Sequence, residues 1–152
     1  MNTSFFVSLD KKALYHNIEY LREYKQKELL PVLKANAYGH NMLLIAKALY
    51  DYDIKVWAVA RYSEAIDICE YFKTLSIDDF KILIFESLID DYSVLEKYPQ
   101  ICPTLNSIKD LKSALANNIS IDRLSLKIDF GFGRNGIKYE EVDELKNLIK
   151  YN

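Results

Sequence analysis

Short apolar runs alternate with amphipathic helical stretches along the whole of this chain, and that alternation limits the fold more than any other feature. The β-like runs are Phe5–Leu9, Leu29–Lys34, Lys55–Ala60, Lys81–Phe85, Ile101–Thr104 and Arg123–Asp129. Between them lie helical patterns: Leu14, Ile18 and Leu21 behind an Asp10 cap, then Met42, Ile45, Ala46 and Leu49, then Ala65, Ile66, Cys69 and Phe72. A less regular pattern runs from Leu88 to Leu95. Ile108, Leu111 and Leu115 follow Asn106, and Val142, Leu145 and Ile149 close the series. Strands separated by helices predict an α/β fold with a parallel sheet.

Three architectures fit: a doubly wound open sheet, a (βα)8 barrel, or part of such a barrel. The last strand favours a barrel. In Leu124–Asp129, Leu124, Leu126 and Ile128 take one face, while Ser125, Lys127 and Asp129 take the other. Strands of an open sheet covered on both faces read as continuous hydrophobics. Barrel strands can turn polar side chains toward the site end. A complete barrel needs about 250 residues, against 152 here. The expectation is therefore a partial (βα)8 TIM-type barrel spanning residues 1–152, about five βα units after an N-terminal strand.

Composition excludes several function classes. A net charge of −2 and interspersed lysines give no footprint for nucleic acid. No apolar run reaches the length of a membrane span, and no secretory leader is evident, so a cytoplasmic protein is expected. Cys69 and Cys102 lack metal-ligand spacing and read as reduced core thiols. With two histidines, His16 and His40, no metal site is expected. His40 reads as a cap for the next helix. Glu140, Glu141, Asp143 and Glu144 read as a solvated helix start.

All four glycines fall in two stretches, Lys34–His40 and Lys127–Ile137. Lys34 ends an apolar strand, where a cation is expensive to bury, and a neutral amine is the nucleophile that Schiff-base chemistry requires. Tyr38 and the backbone near Gly39 are placed to hold a phosphate. A lysine snorkelling from a strand end fits the same spacing. Gly131, Gly133 and Gly136 match a dinucleotide loop, but no ribose-binding acid lies at the expected distance beyond them. Arg134 reads better as a guanidinium fork for a substrate carboxylate. Lys127 would help fix it only if its own charge were removed or compensated.

The segment Val32-Leu-Lys-Ala-Asn-Ala-Tyr-Gly-His40 resembles the cofactor-attachment motif of bacterial alanine racemases. Leu126-Lys-Ile-Asp-Phe-Gly-Phe-Gly-Arg-Asn-Gly-Ile137 resembles their second signature, and Phe6–Asp10 followed by a helix with Asn17 resembles their N-terminus. The resemblance implies pyridoxal 5'-phosphate carried on Lys34, which also serves as one of two opposed bases. It implies that Tyr38 binds the cofactor phosphate, and that Arg134 holds the substrate carboxylate and tunes the cofactor's phenolic oxygen. It implies a carbamylated Lys127. The reaction implied is interconversion of L- and D-alanine, with D-alanine going to peptidoglycan.

Two residues depart from the family pattern. Phe130 replaces a small polar residue and is expected to crowd the arginine loop, and Phe132 replaces methionine. The family's later barrel strands and its C-terminal β domain, which supplies the second base, are expected to be missing. The isolated chain is therefore expected to be weakly active or inactive, and to associate with itself or with a complementary chain. A cofactor-holding remnant and a nucleotide-binding α/β module are the alternatives.

Overall fold

The computed structural model describes residues 8–88 and 91–150. Four parallel strands, β1 (Val56–Val59), β2 (Lys81–Ile84), β3 (Ile101–Leu105) and β4 (Ser125–Leu126), lie side by side in chain order. Val32 joins the outer side of β1 through a parallel bridge to Ala58. A doubly wound sheet reverses its strand order at a switch point. Here each successive strand adds to the same edge, which is how a barrel wall is built. The protein is α/β, and this wall is a partial TIM-type barrel.

The register sorts the two faces. Trp57 lies opposite Ile82, and Val59 opposite Ile84. These four, with Ile101 and Leu105, have no solvent exposure and face the helices. Trp57 packs 5.6 Å from Phe72 and 5.7 Å from Phe80, so the Tyr62–Thr74 helix is pinned by aromatic contacts. That helix buries Tyr62, Ala65, Ile68, Cys69 and Phe72, one residue per turn or nearly so. Truncating Phe72 to alanine would cost about 3–5 kcal/mol. The other face of the wall carries Lys81 and Val56 exposed and Leu83, Cys102 and Ser125 half-buried. The mixed, partly polar face is the one expected to look into the barrel.

Helix starts obey local chemistry. Asp10 accepts from the Lys12 and Ala13 amides at 2.8 and 3.2 Å, capping the Lys11–Lys25 helix as expected. Ser107 caps the Ile108–Ala116 helix through the Asp110 amide.

Three expectations need correcting, and a fourth concerns residues that are mostly not described. The first run, Phe5–Leu9, falls largely outside the described residues, and Ser8 and Leu9 are not in a strand. The run Leu29–Lys34 contributes only the Val32 bridge, because Pro31 has no N–H to donate and the chain leaves the extended conformation at Leu33, where ψ is 10°. The pattern from Leu88 to Leu95 becomes the short helix Ser93–Lys97; its residues 89 and 90 lie outside the described residues. The run Arg123–Asp129 changes partners midway: the Lys127 N–H donates to Leu105 O, while Lys127 O accepts from the Ile137 N–H. Beyond that point β5 (Ile128–Asp129) pairs with β6 (Ile137–Lys138).

Candidate active site

Lys34 stands two residues past the Val32 bridge, and the backbone just beyond it is left-handed. Ala35, Asn36 and Ala37 all have φ near +53° and ψ near +46°, and Tyr38 has φ +54°. The segment Ala35–Tyr38 is therefore a left-handed helical turn. In that conformation the Cβ of an L-residue crowds the next carbonyl, at about 1–2 kcal/mol per residue, and such residues normally occur singly. Gly39, at φ +87°, ends the turn where only glycine is comfortable. Concentrated backbone strain of this kind marks functional sites.

Surrounding groups hold the turn in place. The Ala37 N–H donates to Leu33 O at 2.8 Å, and the Gly39 N–H donates to Asn36 O at 3.1 Å. The Asn36 side chain accepts the Met42 amide at 2.8 Å, tying the turn to the Met42–Asp51 helix. His40 Nδ1 donates back to Ala37 O at 2.9 Å. The expectation that His40 caps that helix is therefore corrected: Asn41 caps it through the Leu44 amide. Glu64 supplies the longest-range tie. Its Oε1 accepts the Ala35 N–H at 2.6 Å, while Oε2 accepts the Ala60 and Arg61 amides at 2.9 and 3.1 Å.

Lys34 itself is half-buried. Its Nζ lies 5.8 Å from the Tyr38 ring centroid, and among the described residues it makes no hydrogen bond or ion pair. The amine is uncommitted. Tyr38 is 64% exposed, leaving its hydroxyl available to a ligand.

The second stretch is organised by Asp129. Its carboxylate accepts the Gly131 amide at 3.1 Å and those of Phe132 and Gly133 at 2.8 Å. Partial desolvation pushes this carboxyl up, but the three N–H donors and the nearby Lys127 charge outweigh it, leaving it below the usual carboxylate range. The amides that a dinucleotide loop would offer to a pyrophosphate are thus already taken, which counts against the nucleotide-binding alternative. Gly136 is required by contact: a Cβ there would sit 2.9 Å from Asp129 N and 3.1 Å from Lys127 O.

Arg134 is exposed, with its guanidinium carbon 4.8 Å from the Phe132 ring centroid and no carboxylate partner among the described residues. Lys127 reaches the same loop, where its ammonium donates to Asn135 O, one residue from Arg134. Asn135 Nδ2 donates to Phe85 O at 3.4 Å, which brings the loop over the end of β2. Phe130 does not crowd the loop as expected. It is 79% exposed and packs toward Tyr139, with centroids 6.1 Å apart.

Lys34, Tyr38, Lys127 and Arg134 all lie at or just beyond the C-terminal ends of parallel strands, the face where barrel enzymes carry their chemistry. Among the described residues no histidine, cysteine and carboxylate group could hold a metal. A cavity of about 860 Å³ lies between the first helix and the Leu29–Leu33 segment. Its lining includes Leu14, Ile18, Leu21, Leu30 and Leu44 but neither Lys34 nor Arg134.

Sequence reasoning missed Glu64 and gave Asp129 no role beyond the inward strand face. Glu64 sits three residues after Arg61, the position from which a carboxylate can return to a helix start. That signal was readable, although the link to Ala35 was not.

The family described as "Alanine racemase, N-terminal domain" matches residues 9–152. The chain belongs to that family. The alanine racemase of Fusobacterium nucleatum is 33% identical over 147 residues, covering 96% of this chain and 39% of that protein. The alanine racemase of Carboxydothermus hydrogenoformans is 36% identical over 152 residues, with 95% of this chain and 39% of that protein covered. The chain therefore spans about two-fifths of the length of these curated relatives. The crystal structure of alanine racemase from Oenococcus oeni superposes with a TM-score of 0.74 at 26% identity, over 93% of this chain and 40% of that one. That of Corynebacterium glutamicum, at 23% identity and a TM-score of 0.75, shares the fold. Membership in the alanine racemase family accounts for the parallel barrel wall and makes the protein racemase-related.

Proposed function

We propose that this chain is the lysine-bearing barrel segment of a pyridoxal-phosphate-dependent racemase acting on alanine. The observation that carries the reading is the uncommitted Lys34 amine at the head of a strained, multiply tied turn. An aldehyde cofactor needs such an amine, and the donor set fits a phosphorylated pyridine: Lys34 to hold it, the Tyr38 hydroxyl for its phosphate, and Arg134 for its phenolic oxygen. A structure of Bartonella henselae alanine racemase has covalently bound pyridoxal phosphate. When bound, the cofactor supplies an electron sink that makes an amino acid's α-proton removable.

In this reading Lys34 Nζ moves the α-proton on one face of the amino acid. Arg134 pairs with the substrate carboxylate, and Phe132 beneath the guanidinium limits its swing. Lys127 Nζ first gives up one ammonium proton to solvent, then takes up carbon dioxide with release of a second proton, and the resulting carbamate exchanges its bond to Asn135 for a charge pair with Arg134. The D-alanine formed serves peptidoglycan. Alanine is preferred because most curated relatives are named for it, although one at 28% identity is a lysine racemase.

These 152 residues match about two-fifths of each relative, and in this reading the second base and the rest of the phosphate site lie outside these 152 residues. Incubation with pyridoxal phosphate and each alanine enantiomer, read by chiral chromatography, tests the proposal. Interconversion that disappears in Lys34→Ala supports it. Cofactor binding without interconversion supports the carrier alternative, and neither outcome sinks both.

A further inference from the structure

Glu64 touches three backbone amides in two separate segments. It is half-buried at the third position of the Tyr62–Thr74 helix. One oxygen serves the helix start through Ala60 and Arg61; the other crosses to the Ala35 N–H, 29 residues away in sequence and next to Lys34. Ala35 is the first left-handed residue, and its N–H lies in the peptide plane that joins it to Lys34. The bond to Glu64 therefore holds that plane, and with it the backbone of Lys34, where the left-handed turn begins.

We infer that Glu64 is a positioning residue for Lys34: its carboxylate, acting through the Ala35 amide, fixes the Lys34–Ala35 peptide plane at the head of the left-handed turn and so aims the lysine amine. The inference rests on the cofactor reading for its consequence, but the clamp stands on geometry alone. The charge state and length of the side chain are both needed. A carboxylate is acceptor-only, and its two oxygens take all three N–H groups. Glutamine keeps the length but has one acceptor oxygen, and its NH₂ would meet a donor on one side or the other. Aspartate keeps both oxygens and can still serve the helix start, but it is one methylene too short to span to Ala35.

The test uses the 152-residue chain with Glu64→Gln and Glu64→Asp. Amide hydrogen exchange is read at Ala35–Gly39 and, as an internal reference, at Ile82 and Leu83 in β2. The rate of Lys34 labelling by pyridoxal phosphate and borohydride is read alongside. Losing a charge-assisted bond should speed exchange at Ala35 about tenfold to a hundredfold, with the β2 amides unchanged and Lys34 labelling slowed. In Glu64→Asp, Arg61 should stay protected while Ala35 does not. Unchanged protection at Ala35–Gly39 overturns the inference. So does protection lost only in step with β2, and so does failure of both variants to fold, since Glu64 would then serve the whole fold. A wild-type chain that never labels at Lys34 defeats the cofactor reading and leaves the exchange result to decide the clamp.

Discussion

Replacing Ala35 by glycine should stabilise this protein, the reverse of what the same exchange does in an ordinary helix. Ala35 has φ +53° and ψ +48°, and its methyl group is exposed. Relieving the left-handed crowding returns about 1–2 kcal/mol. Glycine's extra freedom in the unfolded chain takes back about 0.4–1 kcal/mol. No buried methyl is lost, so the net gain is about 0.5–1 kcal/mol, a rise in Tm of a few degrees for a chain of this length. Were the segment a right-handed turn, the substitution would cost about 1 kcal/mol. Urea unfolding with unchanged slope m separates the two signs. Ala13→Gly is the control, since Ala13 is exposed in the right-handed Lys11–Lys25 helix, and it should lose stability. A loss in Ala35→Gly comparable with the control would refute the reasoning.

Gly136→Ala should cost about 2–3 kcal/mol, because its Cβ meets backbone atoms at 2.9–3.2 Å with φ at +122°. Gly131→Ala, with open space around it, should cost about 1 kcal/mol; the urea midpoints rank the two. Stability should hold between about pH 5 and 9.5 and fall on either side. Asp51 beside Lys47, Asp79 beside Lys55, Glu70 under the Tyr98 hydroxyl and Asp129 in its amide nest all lie below their ordinary values. Their contribution is whole above the unfolded-state values and is lost as pH falls through the folded ones. Lys11 and Lys55, raised by bonds to Asp51 and Asp79, act in the opposite sense, losing their contribution as pH rises past their folded values. Burial pushes the Cys69 thiol up to about 12, so a thiol reagent should modify half-buried Cys102 first and reach Cys69 only on unfolding.

Much of the architecture was legible because it rests on periodicity. The helix-facing residues Trp57, Val59, Ile82 and Ile84 alternate as strand residues must, and the polar side of Ser125 and Lys127 was readable in the same way. Asp10 announced its cap. The left-handed turn was not legible, because alanine favours right-handed helix, and nothing in Ala35-Asn36-Ala37 signals otherwise except Gly39 at its end. The turn is tied down by contacts from Glu64 and from the helix beginning at Met42, which no local pattern records. The partner exchange at Lys127 was hidden for a similar reason: the two-residue pairings of β4 and β5 are too short to carry a period.

Mapping the reduced adduct tests the account most directly. The chain is mixed with a low excess of pyridoxal phosphate, treated with borohydride, digested and sequenced by mass spectrometry. One pyridoxyl group on the peptide containing Lys34, absent from Lys34→Ala, is the result predicted. Label scattered over exposed lysines such as Lys12 and Lys138, with Lys34 unmodified, would contradict it.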